Sequence, residues 1–190
     1  MRTLLYLHGF RSSPASFKAR RLREHVERSG EAARFLCPQL PPSPREAFAL
    51  IRELVDGLRP DGFAVVGSSL GGFYATALAE ATGCRAALLN PAVWPARDLA
   101  KYIGEQQAWH SDESFYFRPE YIDELRALTV DAITQPQRYL LLAATGDEVL
   151  DWREMTARYE GANQRVIEGS DHGLSDFDDY LDEVVRFCDQ

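Results

Sequence analysis

Short apolar runs alternate with amphipathic stretches along most of this chain. Thr3–Leu7, Phe35–Cys37, Phe63–Val66, Ala86–Leu89, Tyr139–Ala143 and Gln164–Ile167 read as strands. Strands with little polar alternation are covered on both faces, which a parallel sheet requires. Helical signals fall between them. Ser13-Pro14 resembles an N-cap with proline at the first helical position, opening a helix that runs to about Arg28. Ser43-Pro44-Arg45-Glu46 is a capping-box pattern, followed by Ala47, Ile51, Leu54, Val55 and Leu58 at helical spacing. Leu70–Ala81 is a helix of small residues suited to close packing, and Phe177, Leu181, Val184, Val185 and Cys188 mark a last helix. The alternation predicts a three-layer α/β fold, a mostly parallel sheet with helices on both faces.

The 190 residues suit one domain spanning 1–190. The long interruption, about 91–136, carries Trp94, Tyr102, Trp109, Phe115, Tyr116, Phe117 and Tyr121 among many charges. It is either a small cap inserted over a site or a set of surface helices with aromatic anchors. The formal net charge of −8 argues against nucleic acid as a partner, because phosphate contacts need a basic surface. That charge is uneven: +5 over residues 1–60 and −13 over the rest. Arg11, Lys18, Arg20, Arg21, Arg23 and Arg28 form a basic cluster that either steers an anionic leaving group or is a solvated helix face. Cys37, Cys84 and Cys188 lack metal-type spacing and fit a reducing cytoplasm. No run reaches the roughly 20 apolar residues of a membrane span.

One motif carries chemistry. Phe63–Val66 runs into Gly67-Ser68-Ser69-Leu70-Gly71, and a helix follows at once. A serine on so tight a strand-to-helix turn has its hydroxyl thrust above the sheet, and the flanking glycines leave room for the turn. Ser69 is the candidate nucleophile, and Ser68, without symmetric glycines, ranks below it.

A serine hydroxyl needs a base, and the base needs an orienting acid. Of four histidines, His25 lies on a charged helix face, His110 in the long interruption, and His8 where it would brace a loop. His172, in Gly169-Ser170-Asp171-His172-Gly173 after the last strand, sits where open α/β sheets bind ligands. It is the favoured base. Asp147 follows the turn glycine after Tyr139–Ala143 and is the favoured acid, with Asp151 as its rival and Glu148 a weaker one. An oxyanion needs backbone N–H donors, for which Leu70 and Phe10 are the candidates.

The order Ser69, Asp147, His172 and the surrounding stretches resemble the α/β-hydrolase superfamily, and within it the small YqiA-like esterases. The matching stretches are Leu4–Phe10 with Ser12-Ser13-Pro14, residues 38–42, Val66–Gly72 with Tyr74-Ala75-Thr76, Asn90-Pro91-Ala92-Val93, Thr145–Asp151, and Val166–Gly169 leading to His172. The resemblance implies a serine esterase acting on carboxylic esters, with acyl thioesters such as acyl-CoA as candidates; triad chemistry of this kind needs no metal or organic cofactor. Residues 96–138 match less well, so substrate choice carries over poorly, and Asp171 beside His172 departs from the pattern. The rival readings are a non-catalytic binding or scaffold protein on this fold, and a serine peptidase.

Overall fold

The computed structural model describes residues 2–28, 35–109 and 113–190. In chain order its strands are β1 (Thr3–Leu7), β2 (Phe35–Leu36), β3 (Phe63–Ser68), β4 (Arg85–Leu89), β5 (Gly104–Gln107), β6 (Ser114–Phe117), β7 (Tyr139–Ala144) and β8 (Asn163–Ile167). Its α-helices are α1 (Phe17–Arg28), α2 (Pro44–Leu54), α3 (Leu70–Thr82), α4 (Pro95–Asp98), α5 (Glu120–Leu128), α6 (Trp152–Arg158) and α7 (Leu181–Asp189). Six strands form one sheet in the order β2-β1-β3-β4-β7-β8, every pairing parallel. β5 and β6 form a separate antiparallel hairpin.

The apolar strands are explained by two cores, one on each face. Leu5, Leu7, Val65, Leu88, Leu141 and Ala143 pack with Ile51, Leu78, Met155 and Tyr159 from α2, α3, α6 and its C-terminal end. Their immediate neighbours Leu4, Tyr6, Val66, Leu89, Leu140 and Leu142 pack with Leu22, Val26, Val184 and Phe187 from α1 and α7. Successive side chains on a strand point to opposite faces, so a strand between two helical layers must be apolar throughout.

Three boundaries differ from the sequence reading. Helix α1 opens at Phe17 rather than at Ser13-Pro14. Ser13 closes a turn instead: its Oγ accepts the N–H of Ala15 at 3.1 Å, and its carbonyl accepts that of Ser16 at 3.0 Å. A serine hydroxyl competes for local backbone donors in this way. Phe177 belongs to a 3-10 turn ahead of α7. The β4–β7 connection holds a short helix, a hairpin and α5; helices were one of the two readings of this segment, and the hairpin was not among them. The Ser43 cap on α2 is present, with Oγ accepting the N–H of Glu46 at 3.2 Å.

Because the sheet is parallel throughout, the loops leaving β1, β3, β4, β7 and β8 gather along one edge. The site is built there.

Candidate active site

Ser69 has φ 53° and ψ −120°, a backbone conformation L-residues rarely adopt. Such strain is held only where the surroundings over-determine it. Here they do. A Cβ on Gly67 would lie 2.3 Å from the carbonyl oxygen of Gly71, and one on Gly71 would lie 1.9 Å from that of Leu7. Both contacts are impossible, so the turn can close only over glycine. The Ser69 N–H donates to Leu89 at 3.1 Å, and its carbonyl accepts Gly72 and Ala92, each at 2.9 Å. Ser68 is buried beside the Tyr6 phenol.

His172 reaches Ser69 from the loop after β8. Its Nε2 lies 3.0 Å from Ser69 Oγ, and its Nδ1 lies 2.8 Å from Asp147 Oδ2. An ionised carboxylate only accepts hydrogen bonds. The Nδ1–H therefore donates to Asp147, and the Nε2 lone pair faces the serine hydroxyl. The Asp147 side chain is fully buried, that of His172 12% exposed. The other carboxylate oxygen of Asp147 accepts the N–H groups of Val149 and Leu150, both at 2.8 Å. The turn thus locks the carboxylate's direction.

The remaining candidates fall elsewhere. Asp151 caps α6, accepting the N–H of Arg153 at 2.9 Å. Glu148 accepts the backbone N–H of His172 at 2.9 Å, so it holds the loop rather than the ring. The Asp171 carboxylate accepts the N–H of Ser175 at 3.0 Å. His8 is buried and braces the first loop: its Nε2 accepts the N–H of Leu40 at 3.0 Å, and its Nδ1 lies 2.9 Å from the Gly9 carbonyl. His25 lies 3.7 Å from Asp182 on the outer helices. His110 is outside the described residues.

A cavity of about 140 Å³ opens over Ser69 and His172. Phe10 and Leu70 line it, together with Leu99, Tyr102 and Trp109 from the β4–β7 connection. Leu70 opens α3, where a helix leaves its first N–H groups without internal partners. Phe10 sits in a turn closed by the Ser12 N–H donating to Gly9 at 3.2 Å, with Arg11 at φ 61°. Arg11 is held by Nε donating to Gln107 at 2.7 Å and by stacking on Trp109. A larger cavity of about 360 Å³ shares Phe10, Arg11 and Leu70 as its wall.

Most of the basic cluster is engaged elsewhere, and Arg11 is its member that lines this cavity. Arg21 pairs with Glu24 and Asp178, Arg23 lies over the Phe35 ring, and Arg28 donates to Glu24. The cations lining the cavity are Arg11 and Lys101.

Two residues at the site do what the sequence reading did not find: Asn90 had no role there, and Lys18, placed in the basic cluster, is buried rather than on a solvated helix face. Asn90, fully buried at φ 44°, ends β4. Its Oδ1 accepts the N–H of Ala144 at 2.8 Å, and its Nδ2 donates to the carbonyls of Asp171 at 3.0 Å and His172 at 3.2 Å. It ties the end of β7 to the histidine loop. Its signal was a polar side chain directly after the apolar run Ala86–Leu89. Lys18, 8% exposed, donates to the carbonyl of Gly173. Its signal was a charge on the apolar stripe of α1, one turn before Leu22 and two before Val26.

A parallel sheet wrapped by helices, with a strained serine after β3, a carboxylate after β7 and a histidine after β8, defines the α/β-hydrolase fold. Solved structures agree. A candidate hydrolase from Agrobacterium vitis superposes with TM-score 0.75 at 16% identity, covering 98% of this chain and 88% of its own. Mouse α/β hydrolase domain-containing protein 10 gives 0.69 at 18%, covering 96% and 89%. The esterase domain of a Rhodothermus marinus protein gives 0.64 at 19%, covering 96% and 83%. The chain has the α/β-hydrolase fold. Residues 3–189 match the model of the uncharacterised protein family UPF0227, and the protein belongs to that family.

Proposed function

We propose that this protein is a serine hydrolase that cleaves small carboxylic esters through a covalent acyl-enzyme. One observation carries the reading: a single imidazole bridges Ser69 at 3.0 Å and the buried Asp147 at 2.8 Å. A scaffold has no need of a strained serine aligned with an oriented base.

His172 Nε2 takes the Ser69 proton as Oγ bonds to the ester carbonyl carbon. Asp147 stabilises the imidazolium that results. The N–H groups of Phe10 and Leu70 receive the oxyanion, helped by the positive end of α3. Collapse expels the alkoxide, which takes the proton from Nε2 and leaves as the alcohol. Water, deprotonated by the same nitrogen, then releases the acid. The apolar lining by Leu99, Tyr102, Val149 and Leu150 suits an uncharged carbon skeleton. Arg11 and Lys101 at the same cavity favour a leaving group with anionic character, which keeps acyl thioesters such as acyl-CoA within the substrate class.

The same reading takes the chain as one domain, with 91–136 as a small cap. It also takes the enzyme as cytoplasmic, in keeping with three unpaired cysteines. Among the described residues no helix is long and apolar enough to cross a membrane.

A fluorophosphonate probe tests the reading. Mass spectrometry should find one adduct, on Ser69, and Ser69→Ala should abolish both labelling and ester turnover. Labelling elsewhere, or none, overturns it.

A further inference from the structure

Lys18 occupies a core position on α1 and is 8% exposed. Burying an ammonium is costly, and an apolar side chain of similar volume usually serves stability as well or better. The charge therefore calls for an account in terms of what it touches. Its ammonium donates to the carbonyl of Gly173, the residue after His172, and it lies in the field of Asp171 and Asp147. It thus approaches both the chain that carries the base and the acid that orients it.

We propose that Lys18 is a positioning residue for His172: its ammonium clamps the loop that presents the imidazole and supplies the positive charge behind the Asp147–His172 pair. The kinetic part of this inference rests on the hydrolase reading; the structural part does not.

Charged groups approach the loop from several elements, and Arg11, Asp98 and Lys101 line the cavity that His172 faces. Asp147 and Glu148 come from the turn after β7, and they bind the His172 ring and the His172 backbone N–H respectively. Asp171 and Asp176 lie in the loop itself, tied to the Ser175 N–H and the Ser170 hydroxyl. Arg21, one turn along α1, is engaged by Glu24 and Asp178. Lys18 is a buried cation that faces this loop, with Asp171 and Asp147 nearby. Burial pulls its pKa down to about 8, and Asp171 and Asp147 oppose that fall.

Removing the clamp should let the ring drift, and small misplacements of a catalytic group cost rate steeply.

The test compares wild type, Lys18→Met and Lys18→Arg with an activated ester across pH. Lys18→Met should lose about 10- to 100-fold in kcat with KM little changed. Lys18→Arg keeps the charge and a donor and should recover much of that loss. A Lys18→Met enzyme within twofold of wild type, or an equal loss in Lys18→Arg, overturns the proposal.

A second measurement needs no turnover and no altered Lys18. In protein with isotope-labelled lysine, the Lys18 side chain should titrate near 8 in wild type and lower in Asp147→Asn, which loses the opposing carboxylate. An unchanged midpoint overturns the coupling. If that coupling holds while Ser69 resists the fluorophosphonate, the hydrolase reading fails and the clamp stands.

Discussion

The side-chain amide of Asn90 donates to the main-chain carbonyl of His172 at 3.2 Å, while its oxygen receives the N–H of Ala144 at 2.8 Å. The residue that ends β4 therefore fixes the distance between the end of β7 and the loop that carries the base. Asn90→Ala strands the Ala144 N–H and frees the loop. It also loses the side chain that makes φ 44° tolerable. We expect a loss of about 2–4 kcal/mol in stability and a fall in kcat at nearly constant KM. Asn90→Asp is the sharper variant. It keeps the acceptor but points an oxygen at two carbonyls, so wild-type turnover in it would refute the role.

Asp147 and Asp151 should separate cleanly. In Asp147→Asn one oxygen can still accept Val149 and Leu150, so the melting temperature should hold. The amide, however, presents N–H to His172 Nδ1 and imposes the wrong tautomer, and kcat should fall about 10⁴-fold. Asp151→Ala removes a helix cap and should cost about 1 kcal/mol with turnover kept. Steady-state kinetics and thermal melts on the two variants decide.

Gly71→Ala should not reach the native fold at ordinary temperature. Its Cβ would fall 1.9 Å from the Leu7 carbonyl oxygen, backbone against backbone, with no side chain free to yield. A cost above about 3 kcal/mol is expected, or a fall in melting temperature of roughly 6–12 °C or more if any protein folds. A melting temperature within a few degrees of wild type would contradict the packing of α3 against β1.

Lys18 predicts a pH dependence of stability with a definite sign. Its pKa is about 8 when folded and near the ordinary 10.5 when unfolded. Between these values the unfolded chain binds more protons, so stability rises with pH across that window. Cys37 and Cys84 act oppositely: burial raises each from 9.0 to about 11, so their contribution is lost as pH rises from about 9. The clean quantity is the difference between wild type and Lys18→Met. In chemical denaturation it should shift toward wild type as pH goes from 8 to 10.5, by up to about 3 kcal/mol. A flat difference would show that the ammonium is not buried as described.

The sheet was legible in sequence because two-sided burial writes itself as unbroken apolar runs, such as Val65-Val66 and Leu140-Leu141-Leu142. The positions of Ser69, Asp147 and His172 were legible because each follows a strand, and the glycine spacing around Ser69 is dictated by contacts between backbones. The β5 strand was not legible, since Gly104-Glu105-Gln106-Gln107 has neither alternation nor β-branching. The roles of Asn90 and Lys18 were not legible either. Their partners lie 82 and 155 residues away along the chain, and only the assembled sheet brings them near.

Phe10 lends its N–H to the proposed oxyanion site but sends its ring into the β4–β7 connection, against Tyr102, Phe115 and Phe117. On the proposed reading, the β4–β7 connection therefore grips the side chain of a residue whose backbone N–H must be held in place over Ser69. Exchange of that segment between relatives would retune turnover as well as taste for substrate. Grafts meant to alter selectivity should carry the three aromatic rings along with them.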